Sequence, residues 1–521
     1  MAPAAARGVP VGGAVIASGG ATRRPVADAG TVGAPTWARA AAVDLALASA
    51  AAAALAASGR PWGPWWAAVV AGGLLWPVLA RAPAARGALL AGVALSPVPA
   101  VGYEGLRVFD PAAWWAVTVG VAAAYGLVGA AAAALGARAW PRAPLAWRPL
   151  PWALAWAGLD LLLTHARPWP LPFPVTPGYA LVGGPAVPLA ALGGPVALGA
   201  AWAVFGVAAA GFGRGRLGLP GARAWWPPAS MLALACVALQ VAAERTATGE
   251  PRTLAIAQRP AADGARLAAF ARGAAGVGAD LHVWPEAALQ RELADDATAL
   301  WAVARDLGAP VLAGAFRRAE DGGWRNAAAI ADRHGVVFAV DKRWLVPGYE
   351  AWLGPGTGER WPVRAAGWRL GVLVCWESLF LDEAIERVRR GADLVVVLAH
   401  DGWAEGTATP WWHARAGRLV AWSVGRPVAV ASHDGPSMVW GHDGRQVARA
   451  GADATLLRSA VAAPLAWRTP YVTLGPAGLA RAWLVAVAIT VASTVATASA
   501  ASRRSARRAR QGCGASGPQA A

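Results

Sequence analysis

Leu370-Gly-Val-Leu-Val374, running directly into Cys375-Trp376-Glu377, decides the fold. The apolar run is short and valine-rich, which reads as a buried strand of an α/β sheet. Cys375 falls just past its end, where open α/β sheets place their sites. The same grammar repeats on either side, at Leu254-Ala-Ile-Ala, Leu281-His-Val-Trp, Val311-Leu-Ala-Gly, Val336-Val-Phe-Ala-Val, Leu394-Val-Val-Val-Leu and Val428-Ala-Val-Ala. Helical patterns fall between several of these runs, at about 264–275, 292–307, 380–391 and 411–424. The alternation predicts an α/β sheet domain with apolar central strands.

Two more reactive residues stand just beyond strands. Glu286 follows 281–284, and Lys342 follows 336–340. Lys342 is the only lysine in a chain with 46 arginines. An ammonium is compact and shifts its pKa on burial in a way that guanidinium does not. Asparagine is also reduced to one residue, Asn326, so a lone lysine could reflect drift in composition. Its address between Glu286 and Cys375 favours chemistry. A thiol needs a base or a positive neighbour before it becomes a good nucleophile. Glu286 can take the proton, and Lys342 can stabilise both the thiolate and the oxyanion formed when a carbonyl is attacked.

The rest of the chain has a different character. Hydrophobic residues make up 56 % of the sequence and charged residues 15 %. Soluble domains carry nearer a quarter charged residues. Seven of the 30 acidic residues precede Pro251, and the other 23 lie between Pro251 and Leu465. This predicts a membrane part followed by a water-soluble domain. Apolar runs at about 41–58, 62–80, 87–104, 112–137, 147–164, 187–212 and 228–243, with an eighth at 477–500, are each near the ~20 residues needed to span a bilayer. The expected organisation is a disordered tail over 1–40, seven helices over 41–243, a catalytic domain over 244–476, an eighth helix over 477–500 and a basic tail over 501–521.

The net charge of +17 is not a nucleic-acid footprint, because the arginines fall mostly between apolar runs and at the C-terminus. They are dense before the first run (Arg7, Arg23, Arg24, Arg39), at Arg81 and Arg86, at Arg138, Arg142 and Arg148, at Arg214, Arg216 and Arg223, and after the eighth run (Arg503, Arg504, Arg507, Arg508, Arg510). Alternate connections hold only Arg60, Arg107 and Arg167. The positive-inside rule then predicts both termini in the cytoplasm and 244–476 on the opposite side. Trp pairs at run ends (Trp65-Trp66, Trp114-Trp115, Trp225-Trp226) read as interfacial anchors. The three cysteines, Cys236, Cys375 and Cys513, give no disulfide framework and no metal-ligand spacing.

At its reactive residues the chain resembles the nitrilase superfamily, and within it the bacterial apolipoprotein N-acyltransferases. Trp284-Pro-Glu286 is similar to that family's Trp-Pro-Glu, and Lys342-Arg-Trp-Leu345-Val346-Pro347 to its Lys-x-x-Leu-Val-Pro, with Glu350 eight residues after the lysine. Cys375-Trp376-Glu377 resembles Cys-Tyr-Glu, and Asp401-Gly-Trp403, His413, Arg418, Gly425-Arg426-Pro427 and Thr469-Pro-Tyr471 keep the family's spacing. Departures are Gly348-Tyr349 for Phe-Gly, Trp376 for Tyr, His400 and His433 for Asn, and Ser423 for Glu; Asp160 stands near a family Glu. The resemblance implies a nitrilase-like α-β-β-α sandwich between membrane helices seven and eight, in the bacterial inner membrane with the catalytic domain on the extracytoplasmic side. It implies transfer of an acyl chain from a phospholipid, through a Cys375 thioester, to the N-terminal amine of a diacylglyceryl-modified apolipoprotein. Glu286 would be the base, Lys342 with a backbone N–H near Trp376 the oxyanion stabiliser, and Glu350 and Glu377 positioning groups. No metal or diffusible cofactor is implied.

Two other readings use the same residues. One is a membrane-tethered amidase or nitrilase with water as acceptor. The other is a catalytically silent scaffold or a transporter with a vestigial soluble domain. Eight helices exceed what tethering requires, and the intact Glu–Lys–Cys set argues against a silent domain.

Overall fold

The computed structural model describes residues 36–60, 62–139, 150–165, 171, 176–212, 222–246, 251–258, 278–289, 291–358, 361–451, 456–461 and 467–513. The helix expected at 264–275, most of the Pro168–Pro174 stretch, and Arg7, Arg23, Arg24, Arg142, Arg148, Arg167, Arg214 and Arg216 lie outside these residues. The chain divides into Met1–Val43 and Asp44–Ala521. In the first unit the described residues are the opening turns of helix α1 (Thr36–Ser58).

Within the second unit the apolar runs are helices. After α1 come α2 (Trp65–Arg81), α3 (Ala84–Leu95), α4 (Pro111–Ala139), α5 (Leu150–His165), α6 (Ala190–Ala210) and α7 (Trp226–Thr246). Among the described residues, six stretches are long and apolar enough to cross a membrane: Trp37–Ser58, Ala84–Gly102, Pro111–Ala131, Val187–Ala210, Arg223–Arg245 and Pro470–Ser493. The second and fifth expected runs are shorter apolar helices, Trp65–Arg81 and Ala153–His165. At 1.5 Å per residue, a 17-residue helix such as α2 reaches only about 25 Å.

The bundle is apolar on its surface as well as in its interior. Met231, Leu234 and Val237 on α7 and Leu484, Val485 and Ile489 near the C-terminus are exposed apolar side chains, the surface that a lipid phase covers. Trp residues split into two groups. In the three expected anchor pairs Trp66, Trp115 and Trp226 are exposed, but Trp65 and Trp114 are half-buried and Trp225 is buried, whereas Trp76, Trp156 and Trp202 are buried together with ring centroids 5.6–6.2 Å apart. The Trp202 indole N–H is satisfied by the Ala68 carbonyl at 2.7 Å.

The α/β part holds two six-stranded sheets. The first, in the order β12-β1-β2-β3-β4-β5, contains β1 (Arg252–Ala257), β2 (Leu281–Val283), β3 (Val311–Arg318), β4 (Trp324–Asp332), β5 (Gly335–Asp341) and β12 (Leu456–Val461). The second, in the order β11-β10-β9-β8-β7-β6, contains β6 (Val363–Ala365), β7 (Trp368–Val374), β8 (Leu394–His400), β9 (Val428–His433), β10 (Ser437–Trp440) and β11 (Gln446–Ala450). Leu254, Ile256, Leu281 and Leu312 from the first sheet share one buried cluster with Leu370, Val372, Leu394 and Val396 from the second. Helix α8 (Leu293–Leu307) covers the outer face of the first sheet through Leu300 and Val303. Helices α9 (Leu381–Arg389) and α10 (Thr409–Val424) cover the second. The result is the α-β-β-α sandwich, lying in sequence between α7 and the last helix, α11 (Pro470–Cys513).

The outer face of the second sheet belongs to the same buried cluster as the apolar bundle, which runs from Trp76 and Trp202 through Leu381 and Ile385 to Trp412 and Val430. Polar ties reinforce this seam. His165 Nδ1 lies 3.0 Å from Asp382 Oδ1, and its Nε2 lies 3.2 Å from the Tyr471 hydroxyl. Gly105 N–H donates to Thr409 Oγ1 at 2.8 Å, and Ala408 N–H to Glu104 Oε2 at 3.1 Å.

Candidate active site

Each of the three reactive residues is delivered by the end of a strand. Glu286 follows β2, Lys342 follows β5, and Cys375 follows β7. The first two come from one sheet and the third from the other, and all three line one cavity of about 360 Å³. Phe316, Tyr349, Trp352, His400 and Trp403 also line it. Gly314 on β3 lets the Glu286 turn sit close, since a Cβ there would fall 2.4 Å from the Glu286 Cα.

Lys342 is 1 % exposed. Its Nζ lies 2.9 Å from Glu286 Oε1 and 2.9 Å from Glu350 Oε1. Asn326 Nδ2 donates to the same two oxygens, at 2.6 and 2.9 Å. The other Glu350 oxygen accepts Val346 N–H at 2.7 Å, which fixes that carboxylate. Burying an ammonium is costly unless it is paired, and here two carboxylates surround it. Burial works against the charged form of Lys342, but the carboxylates of Glu286 and then Glu350 outweigh it and hold its pKa above the ordinary lysine value.

Glu286 and Cys375 move in opposite directions. Burial pushes the Glu286 carboxyl up, yet the Lys342 charge and hydrogen bonds from Lys342, Cys375 and Asn326 hold it below the usual carboxylate range. Burial and then the Glu286 charge push the Cys375 thiol well above its ordinary value, against the smaller pull of Lys342. The resting pair is therefore a carboxylate beside a neutral thiol, the arrangement of a base waiting for a proton.

The backbone around Cys375 is strained. Its φ is +50°, in the left-handed region, directly after Val374 at φ −105°. Such a conformation in a non-glycine residue costs on the order of 1–3 kcal/mol and persists where surrounding contacts enforce it. Glu377 supplies part of that enforcement. It accepts Val374 N–H at 2.9 Å with one oxygen and Arg343 N–H at 2.6 Å with the other. One buried carboxylate thus ties the strand that ends at Cys375 to the residue after the lysine. On the far side, His413 Nε2 lies 3.1 Å from the Cys375 carbonyl, and its Nδ1 lies 2.8 Å from Asp401 Oδ1. Burial disfavours the charged imidazole, but Asp401 and that carbonyl more than offset it, so the His413 pKa is raised.

Of the six site residues expected from sequence, Glu286, Lys342, Glu350 and Cys375 meet in the cavity. Glu377 stands behind it as a backbone clamp. The Trp376 ring is 6.3 Å from Tyr103, in a narrow apolar recess that also borders Cys375. Arg418 lies away from the cavity, donating to the Gly444 and Val182 carbonyls. Asn326 was not among the expected site residues. Its scarcity in the sequence was the available signal, and that scarcity also fits drift.

Residues 246–468 match the family model described as carbon-nitrogen hydrolase. A protein named apolipoprotein N-acyltransferase from Vibrio vulnificus (strain CMCP6) is 25 % identical over 227 residues, covering 38 % of this chain and 45 % of that one. One of the same name from Allorhizobium ampelinum is 28 % identical over 194 residues, covering 32 % and 37 %. Each match spans less than half of the relative's own length. The crystal structure of an amidase from Nesterenkonia sp. is 24 % identical, with 45 % of this chain and 97 % of that one covered and a TM-score of 0.36.

Proposed function

Residues 246–468 match the carbon-nitrogen hydrolase family model, and on that footing we propose that the chain is a membrane acyltransferase. It moves a fatty acyl chain from a phospholipid to Cys375, and then to the N-terminal amine of a diacylglyceryl-modified apolipoprotein cysteine. The observation that carries this reading is a single cavity joining a buried thiol, carboxylate and ammonium, in a sandwich whose outer helices pack into an apolar bundle. The names of the relatives support the same assignment.

In the first half-reaction Glu286 takes the thiol proton as Sγ attacks the sn-1 ester carbonyl. The Lys342 ammonium and a backbone N–H near Trp376 meet the oxyanion. The ester C–O bond breaks, and the lysophospholipid oxygen leaves with the proton held by Glu286. In the second half the acceptor amine attacks the thioester carbonyl, Glu286 takes an amine proton, and the C–S bond breaks with that proton passing to sulfur. Glu350 and Glu377 act as positioning residues. Covalent catalysis of this kind divides one difficult transfer into two easier ones.

The apolar helices cross the bacterial inner membrane with both termini cytoplasmic and residues 244–476 on the extracytoplasmic side. The alternation of arginine-rich and arginine-poor connections supports that disposition.

The test is to incubate purified protein with phospholipid alone and weigh it intact. One added acyl mass is expected, absent in Cys375→Ala and retained in Cys236→Ala and Cys513→Ala. An unmodified protein that hydrolyses a small amide would replace this reading with an amidase, and an inert one would leave a scaffold.

A further inference from the structure

Beside the cavity, with His400 in its wall, lies a second cluster that the acyl-transfer scheme does not use. β8 and β9 run parallel, and His400 and His433 are register partners at their C-terminal ends. Their rings stack with centroids 4.8 Å apart and an interplanar angle of 11°. The next residue, Asp434, has φ +56°, in the left-handed region. That turn folds its carboxylate back beside the rings, with Oδ2 2.9 Å from His433 Nδ1. Gly402 leaves room for the convergence, because a Cβ there would lie 3.2 Å from both Asp434 Oδ2 and His400 Cε1. Strand register, a strained turn and a glycine cradle thus gather two imidazoles and a carboxylate. One ligating atom from each lies within 4.8 Å of the others.

We propose that His400, His433 and Asp434 form a binding site for a divalent transition cation at the wall of the cavity that holds Cys375. Two imidazoles and one carboxylate suit zinc, nickel, copper or iron rather than magnesium or calcium, which prefer all-oxygen shells. Two nitrogens each ~2.1 Å from one ion lie at most ~4.2 Å apart, so rotation about the side-chain torsions closes the set. Asp434 either completes the shell or orients His433 through Nδ1, as carboxylates beside metal-binding histidines do. His400 lines the cavity, and its carbonyl lies 4.0 Å from Cys375 Sγ. An ion held there therefore fixes one wall of the space that a substrate must enter.

The probe is Zn²⁺ added to the full-length protein in detergent, read by native mass spectrometry and by calorimetric titration, with Mg²⁺ as comparison. We expect one zinc ion per chain, no magnesium, and binding weakened at least ~10-fold in Asp434→Asn and lost in His433→Asn. Should His433→Asn fail to fold, as judged by its melting curve, His400→Asn is read in the same way. Absence of zinc from the wild type overturns the site. Retention of a zinc ion in a folded histidine variant also overturns it, and assigns the ion to the thiol or to other groups.

Discussion

Asn326 and Lys342, the only asparagine and the only lysine in the chain, are bonded to each other and hold the same two carboxylates. Lys342 N–H donates to the Asn326 carbonyl at 2.7 Å, and both side chains reach Glu286 Oε1 and Glu350 Oε1. An ammonium and an amide together supply donors to two buried anions. The chain's one asparagine and one lysine thus stand at the same site.

Lys342→Arg is the sharpest test of the lysine. The ammonium is packed within 2.9 Å of both carboxylates, and the larger planar guanidinium displaces at least one of them. A shift of ~1 Å in a reacting group costs on the order of 10²-fold. We expect a folded protein whose Cys375 acylation, followed by intact mass, is slower by at least that factor. Near-normal acylation would reduce Lys342 to a generic charge.

Asn326→Ala removes one donor from each carboxylate. Hydrogen bonds to charged groups contribute about 1.5–3 kcal/mol, so the melting temperature in detergent should fall. Acylation should slow as well, because Glu286 loses a restraint on its orientation. An unchanged melting curve would mean that Lys342 alone satisfies both anions.

Protonation at Glu286 and Cys375 sets the pH response. Glu286 is a base only when ionised, and its folded pKa lies below the ordinary 4.5. Activity is thus retained as pH falls through 4.5 and lost only below it, as is the stability contributed by that depressed pKa. In Lys342→Met the opposing effect of burial is left unbalanced, so the acid limb of acylation moves to higher pH. Cys375 should show no alkylation inflection near 9, its ordinary value, and Glu286→Gln should bring that inflection down by removing a neighbouring negative charge. An inflection near 9 in the wild type contradicts the buried neutral thiol.

The proposed orientation is tested with a cysteine at Glu320, an exposed position in the β3–β4 turn. In a Cys513→Ala background, Glu320→Cys should react with a membrane-impermeant reagent in spheroplasts. Labelling only after lysis reverses the topology.

Strand ends were legible because apolar runs stop where the chain leaves the sheet, so Glu286, Lys342 and Cys375 could be marked from sequence. What joins them was not. The Asn326–Lys342 bond depends on the β4–β5 pairing, and the stacking of His400 on His433 depends on parallel register across a helix. Neither register is written in local spacing. The resemblance marks Glu377 as a positioning group, but its spacing does not say how it acts, because a carboxylate at that place reads the same whether it faces the cavity or clamps the backbone. In the bundle, apolar length was legible, but the split of Trp residues between exposed ends and a buried cluster follows from helix packing.

The placement of base and lysine on one sheet and nucleophile on the other has a consequence during synthesis. When residue 342 has been synthesised but residue 375 has not, the carboxylates, the amide and the ammonium of the cavity exist without the thiol that completes its lining. The first sheet takes its edge strand β12 from beyond the second sheet in the chain, so both sheets are complete only after residue 461 has been made. Parting the sheets would take the thiol away from its carboxylate and ammonium and would expose the apolar core that the two sheets share.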